Sequence, residues 1–157
     1  MSQVGQNLER EGIKIASSQK RIIAFGIDEM IVSVLFFVAF FNDFALIANQ
    51  GLNQDEIYNQ ITALVSSLVL HLLAIRLIYQ TFFIWYMGAT IGKTLVKITC
   101  IDTGYLDKPN FITSLNRALI RNVSELAFYL GFLWAFGNDL RQTWHDKFSK
   151  VVVIDVA

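Results

Sequence analysis

The stretch Arg21-Ile22-Ile23-Ala24-Phe25-Gly26-Ile27-Asp28-Glu29 decides how the chain is read. An arginine opens an apolar run that continues to Phe41, and two acids sit inside it. As a helix, residues 21–41 rise about 30 Å, the thickness of a bilayer core. An ionised carboxylate at membrane depth costs roughly 2.5 kcal/mol or more unless it is paired, hydrated or protonated. The run therefore predicts a transmembrane helix whose acids find partners elsewhere in the chain.

The composition agrees. Of 157 residues, 54% are hydrophobic and only 17% are charged, against about 25% charged in an average soluble domain. Charges are sparse over residues 22–41, 61–87 and 118–137, the layout of a small polytopic membrane protein. About 20 polar residues, including Glu9 and Glu11, precede the first run, so it reads as a retained helix and not as a cleaved signal. A formal net charge of zero leaves no basic field for nucleic acid. Cys100 is the one cysteine; it excludes an intramolecular disulfide and is expected to be a small buried hydrophobe. His71 and His145 lack metal-ligand spacing, and no metal is predicted. His71 reads as a helix-packing donor and His145 as part of a polar turn.

Working outward, residues 1–20 form a polar N-terminal arm, at best a weak amphipathic helix on the membrane surface, and residues 21–157 form the membrane domain. The loop 42–60 carries acids and no Lys or Arg. A second helix, residues 61–87, ends in Trp85-Tyr86, an aromatic pair suited to the headgroup level. Arg10, Lys14, Lys20 and Arg21 precede the hairpin, and Lys93, Lys97 and Lys108 follow it. The positive-inside rule places both flanks in the cytoplasm.

A third helical segment, residues 114–137, contains Arg121, Asn122, Glu125 and Gly131. Lys97-Ile98-Thr99-Cys100-Ile101-Asp102 and Lys150-Val151-Val152-Val153-Ile154-Asp155 share the form Lys-apolar-x-x-Ile-Asp. Both predict strands, at about 96–101 and 150–155. If they pair on the cytoplasmic face, the third segment enters and leaves on one side, bending near Gly131; the alternative is a full crossing. The fold class is thus an all-α membrane protein with two transmembrane helices, a third re-entrant or transmembrane segment and a small cytoplasmic β-strand pair.

Asp28 lies on the same helix face as Arg21, about 10 Å deeper, beside the small residues Ala24 and Gly26 that admit a neighbouring helix. Arg76, about 16 Å from the end of the second helix, can reach an Asp28–Arg76 or a Glu29–Arg76 pair. Such a pair either locks two helices or leaves a spare carboxylate on which a proton or monovalent cation exchanges. Asp28 and Glu29 are about 100° apart around the helix and need not share one site. Arg117, Arg121 and Glu125 are spaced by four and read as a stripe facing solvent or headgroups. Gly88-Ala89-Thr90-Ile91-Gly92-Lys93-Thr94 has three residues between its glycines where a phosphate loop needs four, and it follows an apolar helix, so no nucleotide is implied. No nucleophile elbow or other hydrolase signature is present; neither an enzyme nor a cofactor is expected.

Together these residues resemble the bacterial RDD family of membrane proteins, named for one arginine and two aspartates. Arg21 and Asp28 fit the first two signature residues. Gly88, Thr90, Gly92 and Lys93 fit its Gly-x-Thr-x-Gly-Lys segment, and Arg117 to Asn122 are similar to its Arg-Ala-Leu-x-Arg-Asn run. The run Arg141-Gln142-Thr143-Trp144-His145-Asp146 ends on the second signature aspartate, Asp146. The family often continues with Ala, Gly and Thr, where this chain has Ser149, Lys150 and Val151. Glu29 and Arg76 lie outside the signature. The resemblance implies an inner-membrane protein with a part in transport, and adds Asp146 to Asp28, Glu29 and Arg76 as candidate ion-binding residues. The expectation is a transporter or ion-handling protein in a lipid bilayer, working as a homo-oligomer or with a membrane partner. The alternative is an adaptor or scaffold whose buried charges only lock helices.

Overall fold

Two long apolar helices set the frame. In the computed structural model, which describes residues 3–126, 140 and 142–156, α2 (Ser18–Ala39) and α5 (Val69–Met87) are long and apolar enough to cross a membrane. Only 17% and 22% of their apolar windows are buried within the chain. Met30, Val34, Val38, Leu70 and Ile78 stand exposed on them, so these are not the buried core helices of a water-soluble domain. The helices run antiparallel: Asp28 meets Tyr79, and twelve residues further on, at the end of α2, Phe40 packs edge-on against His71, eight residues back along α5, ring centroids 5.6 Å apart.

Before α2 lies α1 (Gln3–Arg10), and between the long helices lie α3 (Phe41–Ala48) and α4 (Gln54–Ser67). The expected loop 42–60 is therefore partly helical. Asn53 and Glu56 form a reciprocal capping box that starts α4 well before residue 61. The expected single helix 61–87 is broken at Leu68, whose N–H is shared between the Leu64 and Val65 carbonyls. The first helix likewise stops at Ala39 instead of Phe41.

After α5 come α6 (Ile91–Leu95), β1 (Ile98–Asp102), α7 (Phe111–Leu126), α8 (Trp144–Phe148) and β2 (Val151–Asp155). The strands form the expected pair, an antiparallel two-stranded sheet in which Cys100 faces Val153. Cys100 is fully buried there. The similarity of the strands extends upstream of them. Thr90 precedes α6 and Thr143 precedes α8; each five-residue helix is followed by one residue and then by a lysine in left-handed backbone, Lys97 at φ 57° and Lys150 at φ 53°. Those lysines turn the chain from helix into strand. The Cys100–Val153 pair lies at equivalent positions of the two units, so the sheet has local pseudo-two-fold symmetry about it.

The N-terminal arm is not a separate surface element. Ala16 N–H donates to Val153 O at 3.0 Å and Asp155 N–H to Lys14 O at 2.8 Å, adding residues 14–16 to the free edge of β2. Leu8 is buried against Ile101, Leu140 and Val152. An unpaired strand edge needs such cover, a demand invisible in the polar composition of residues 1–20.

Helix α7 packs along α5. Trp85 stacks edge-on against Phe111 at the end where α5 finishes, and Asn122 Nδ2 donates to Leu73 O at 3.1 Å, about 20 Å back along α5. By Leu140 the chain is again beside the sheet. The bend expected near Gly131 lies outside the described residues.

The register is open to a direct test. Thr99 and Ile154 are partners across the sheet, so the double variant Thr99→Cys/Ile154→Cys should lose two of its three thiols on mild oxidation. The one-residue mismatch Thr99→Cys/Val153→Cys, made together with Cys100→Ser because Cys100 faces Val153, should keep both of its thiols in the same assay.

Candidate functional site

The polar groups of α2, α5, α6, α7 and α8 meet in a buried layer near the start of α2. Its first node is Asp28, whose side chain is 1% exposed. Tyr79 Oη and Gly92 N–H donate to Oδ1 at 2.8 and 2.9 Å, and Thr90 Oγ1 donates to Oδ2 at 2.6 Å. Thr90 caps α6, receiving the Lys93 N–H, while Lys93 Nζ lies 3.3 Å from the same hydroxyl and 4.0 Å from Asp28 Oδ2. The first-turn N–H groups of a helix have no partner within it, and here one of them answers a buried carboxylate.

This geometry explains the spacing of the Gly88–Lys93 motif. Gly88 ends α5 in left-handed backbone, φ 75°. A Cβ on Gly92 would collide with the Ala24 carbonyl and come within 2.7 Å of Asp28 Oδ1. The segment that lacked one residue for a phosphate loop is a cradle for the chain's own carboxylate.

The second node is Asp146. Arg117 donates to its Oδ1 from Nε and Nη2 at 2.9 and 2.6 Å, and Arg21 donates to Oδ2 from Nη1 at 3.2 Å. Oδ2 also faces the Thr143 N–H at 3.4 Å, at the start of α8. Arg21 Nη2 reaches Val153 O at 3.1 Å, and next to it Lys20 pairs with Asp155 at 2.7 Å. The start of α2 is thereby fastened to both α8 and β2. Burial alone would raise the Asp146 carboxyl, but Arg117, His145 and Arg21 outweigh it and hold it far below the usual carboxylate range. His145 is buried, not in an open polar turn, and burial assisted by the neighbouring cations holds it well below the ordinary histidine value. Burial also brings Lys93 down to about 8.

The third node joins α2, α5 and α7. Arg76 donates to Glu29 and, at 2.6 Å, to Glu125; Arg121 donates to Glu125 at 2.8 Å and lies 3.4 Å from Glu29. Arg121 also sits over the Phe25 ring, 5.2 Å from its centroid. Of the two pairs expected for Arg76, the structure forms the one with Glu29, and Asp28 takes hydroxyl and backbone donors instead. The two acids thus serve different nodes, as their angular separation allowed. The Arg117, Arg121 and Glu125 stripe does not face solvent or headgroups: all three are buried between α7 and its neighbours. Tyr79 and Glu125 were missed as members of the layer. A fully buried acid calling for donors was the available signal, but the partners lie 51 to 64 residues away in sequence.

Residues 15–150 match the model of the RDD family. The chain belongs to the RDD family. RDD proteins are membrane proteins, which accounts for the exposed apolar faces of α2 and α5. No curated protein and no solved structure matches the chain. Within this RDD chain Arg21, Asp28 and Asp146, the residues that the resemblance singled out, occupy the first two nodes: Arg21 and Asp146 bind each other, and Asp28 holds α6.

Two outcomes follow. Gly92→Ala should destabilise the solubilised protein by about 2–3 kcal/mol, the usual cost of overpacking, because the obstacle is backbone and a saturated carboxylate; a melting curve reads it. The second outcome concerns pH. A neutral buried His145 gives stability that is complete above the unfolded value of about 6.5 and is lost as pH falls below it, at up to about 1.4 kcal/mol per pH unit. Lys93 acts in a separate window, between about 8 and 10.5, where stability rises with pH. Unfolding midpoints from pH 7.5 to 5.5 should therefore fall in the wild type and flatten in His145→Asn.

Proposed function

We propose that this RDD protein is a non-enzymatic, ion-handling protein of a bacterial inner membrane, with Glu29 as the carboxylate that exchanges a proton or monovalent cation. The observation that carries the reading is the third node. Two carboxylates share two guanidiniums between the long helices, and Glu29 keeps 21% of its side chain exposed while Glu125 and Asp28 keep 4% and 1%. Asp28, the first candidate from the sequence, has both oxygens engaged by hydrogen-bond donors. Glu29 is the acid with room for an exchanging partner.

In this reading the N-terminus, the strand pair and α8 lie in the cytoplasm, in keeping with the basic flanks of the hairpin. The third segment is re-entrant; the descent of α7 along α5 and the return of the chain to the sheet by Leu140 support that. Two spanning helices and one partial one make too small a wall for a private ion path. The exposed apolar faces of α2 and α5 suit a second copy or a membrane partner as well as lipid.

The competing reading, an adaptor whose charges only lock helices, draws support from the saturation of Asp28. Proton-coupled cation flux in proteoliposomes separates the two. Glu29→Gln should cut flux at least tenfold while the protein stays folded. Absence of flux in the wild type, or full flux in folded Glu29→Gln, would refute the ion-handling reading. The adaptor reading instead expects Glu29→Gln and Arg76→Gln each to lower the unfolding temperature and the double variant to recover part of it.

A further inference from the structure

In the third node every carboxylate oxygen faces a guanidinium. Glu125 gives Oε2 to Arg76 Nη1 at 2.6 Å and Oε1 to Arg121 Nε at 2.8 Å. Glu29 gives Oε2 to Arg76 Nη2 and has Arg121 Nη2 3.4 Å from its Oε1. An ion arriving on Glu29 therefore takes a lone pair that an arginine was using. Arg121 keeps Glu125 and the Phe25 ring when that happens. Arg76 is left with Glu125 at Nη1, because its Nε already has no hydrogen-bond partner among the described residues. Donors of a charged group are the costliest to leave unpaired out of water.

One turn further along α5 lies an acceptor without a donor. Gln80 is 3% exposed, and its Oε1 has no hydrogen-bond partner among the described residues. Residues four apart lie on one face of a helix, about 6 Å from each other along its axis. Helical side chains lean toward the helix N-terminus, which brings the Gln80 amide back toward Arg76. A buried amide carbonyl without a donor calls for an explanation, and here the matching donor group is the next one on the same face. With Glu29 ionised, the two carboxylates hold the guanidinium on their own side.

We propose that Gln80 is a positioning residue of the exchange site: its side-chain carbonyl receives Arg76 when Glu29 takes up its ion. Glu125 holds Nη1 throughout, so the guanidinium pivots about that bond, and Gln80 takes the N–H that Glu29 releases. The inference rests on the reading of Glu29 as the exchanging carboxylate, and supplies the partner of Arg76 in the ion-loaded state. Besides Arg76, Arg121 and Glu125, the charged group acting on Glu29 is Asp28, next to it on α2. Asp28 keeps its own three donors in either state.

The test is an infrared titration of the full chain in a neutral detergent, with the proton as the probe ion. The protonated-carboxyl band that Glu29→Gln removes reports the occupancy of Glu29. Gln80→Met keeps the length of the side chain and removes the acceptor; it should raise the proton concentration at half-occupancy at least about threefold. Gln80→Glu, read against Gln80→Glu/Glu29→Gln, offers Arg76 a stronger acceptor and should lower that concentration by a similar factor. A side chain that only fills space would not move the titration in opposite directions. The unfolding temperature of Gln80→Met should not fall, since the carbonyl it loses has no partner to orphan. If Gln80→Met does not fold, Gln80→Glu decides alone. Midpoints equal to that of the wild type in the folded variants overturn the role of Gln80 and leave the reading of Glu29 standing. Absence of a Glu29-dependent band overturns both.

Discussion

Charge withdrawn from water must be matched on the spot, and α2 carries two such demands two turns apart, Arg21 and Asp28. Each is met by one of the two similar helix–strand units. Asp28 takes the Thr90 hydroxyl and the Gly92 N–H of the first unit; Arg21 takes Asp146 and the Val153 carbonyl of the second. Lys93 and Asp146 stand at the third position of α6 and α8 respectively, so the same backbone frame presents opposite charges to opposite partners. The sheet, with Cys100 and Val153 at its centre, holds the two units at the separation that α2 requires.

Pairing by charge alone would have permitted Asp28 to meet Arg76. Geometry divides the acids instead. Asp28 faces α6 and the end of α5, while Glu29, a little over a quarter turn round the helix, faces Arg76 and Arg121. On the proposed reading of Glu29, the division separates rigidity from exchange. A carboxylate with three donors is fixed, whereas one held between two shared guanidiniums and partly open can change partners. A polar layer built this way holds both kinds of group without mixing them.

Much of this was legible in the sequence for a definite reason. Apolar runs marked the two long helices, and the repeated Lys-apolar-x-x-Ile-Asp marked both strands, because local pattern governs local structure. The partners were less legible. Periodicity tells which face of α2 carries Asp28, but not that a short helix after α5 turns its first N–H groups toward that face. The same limit hid the burial of Arg117, Arg121 and Glu125: four-residue spacing defines a stripe and says nothing about what covers it. The capping box at Asn53 and Glu56 was readable, and the polar character of residues 42–60 concealed it. The role of residues 14–16 depended on an open strand edge 138 residues or more downstream, at Ile154.

The bond between Arg21 and Asp146 spans 125 residues. During synthesis, α2 enters the membrane long before its acid exists, and Arg117 waits for the same carboxylate. Neither guanidinium meets this carboxylate until α8 has been made. Closure of this node therefore waits on α8. A chain cut short before α8 leaves both Arg21 and Arg117 without the carboxylate that joins them.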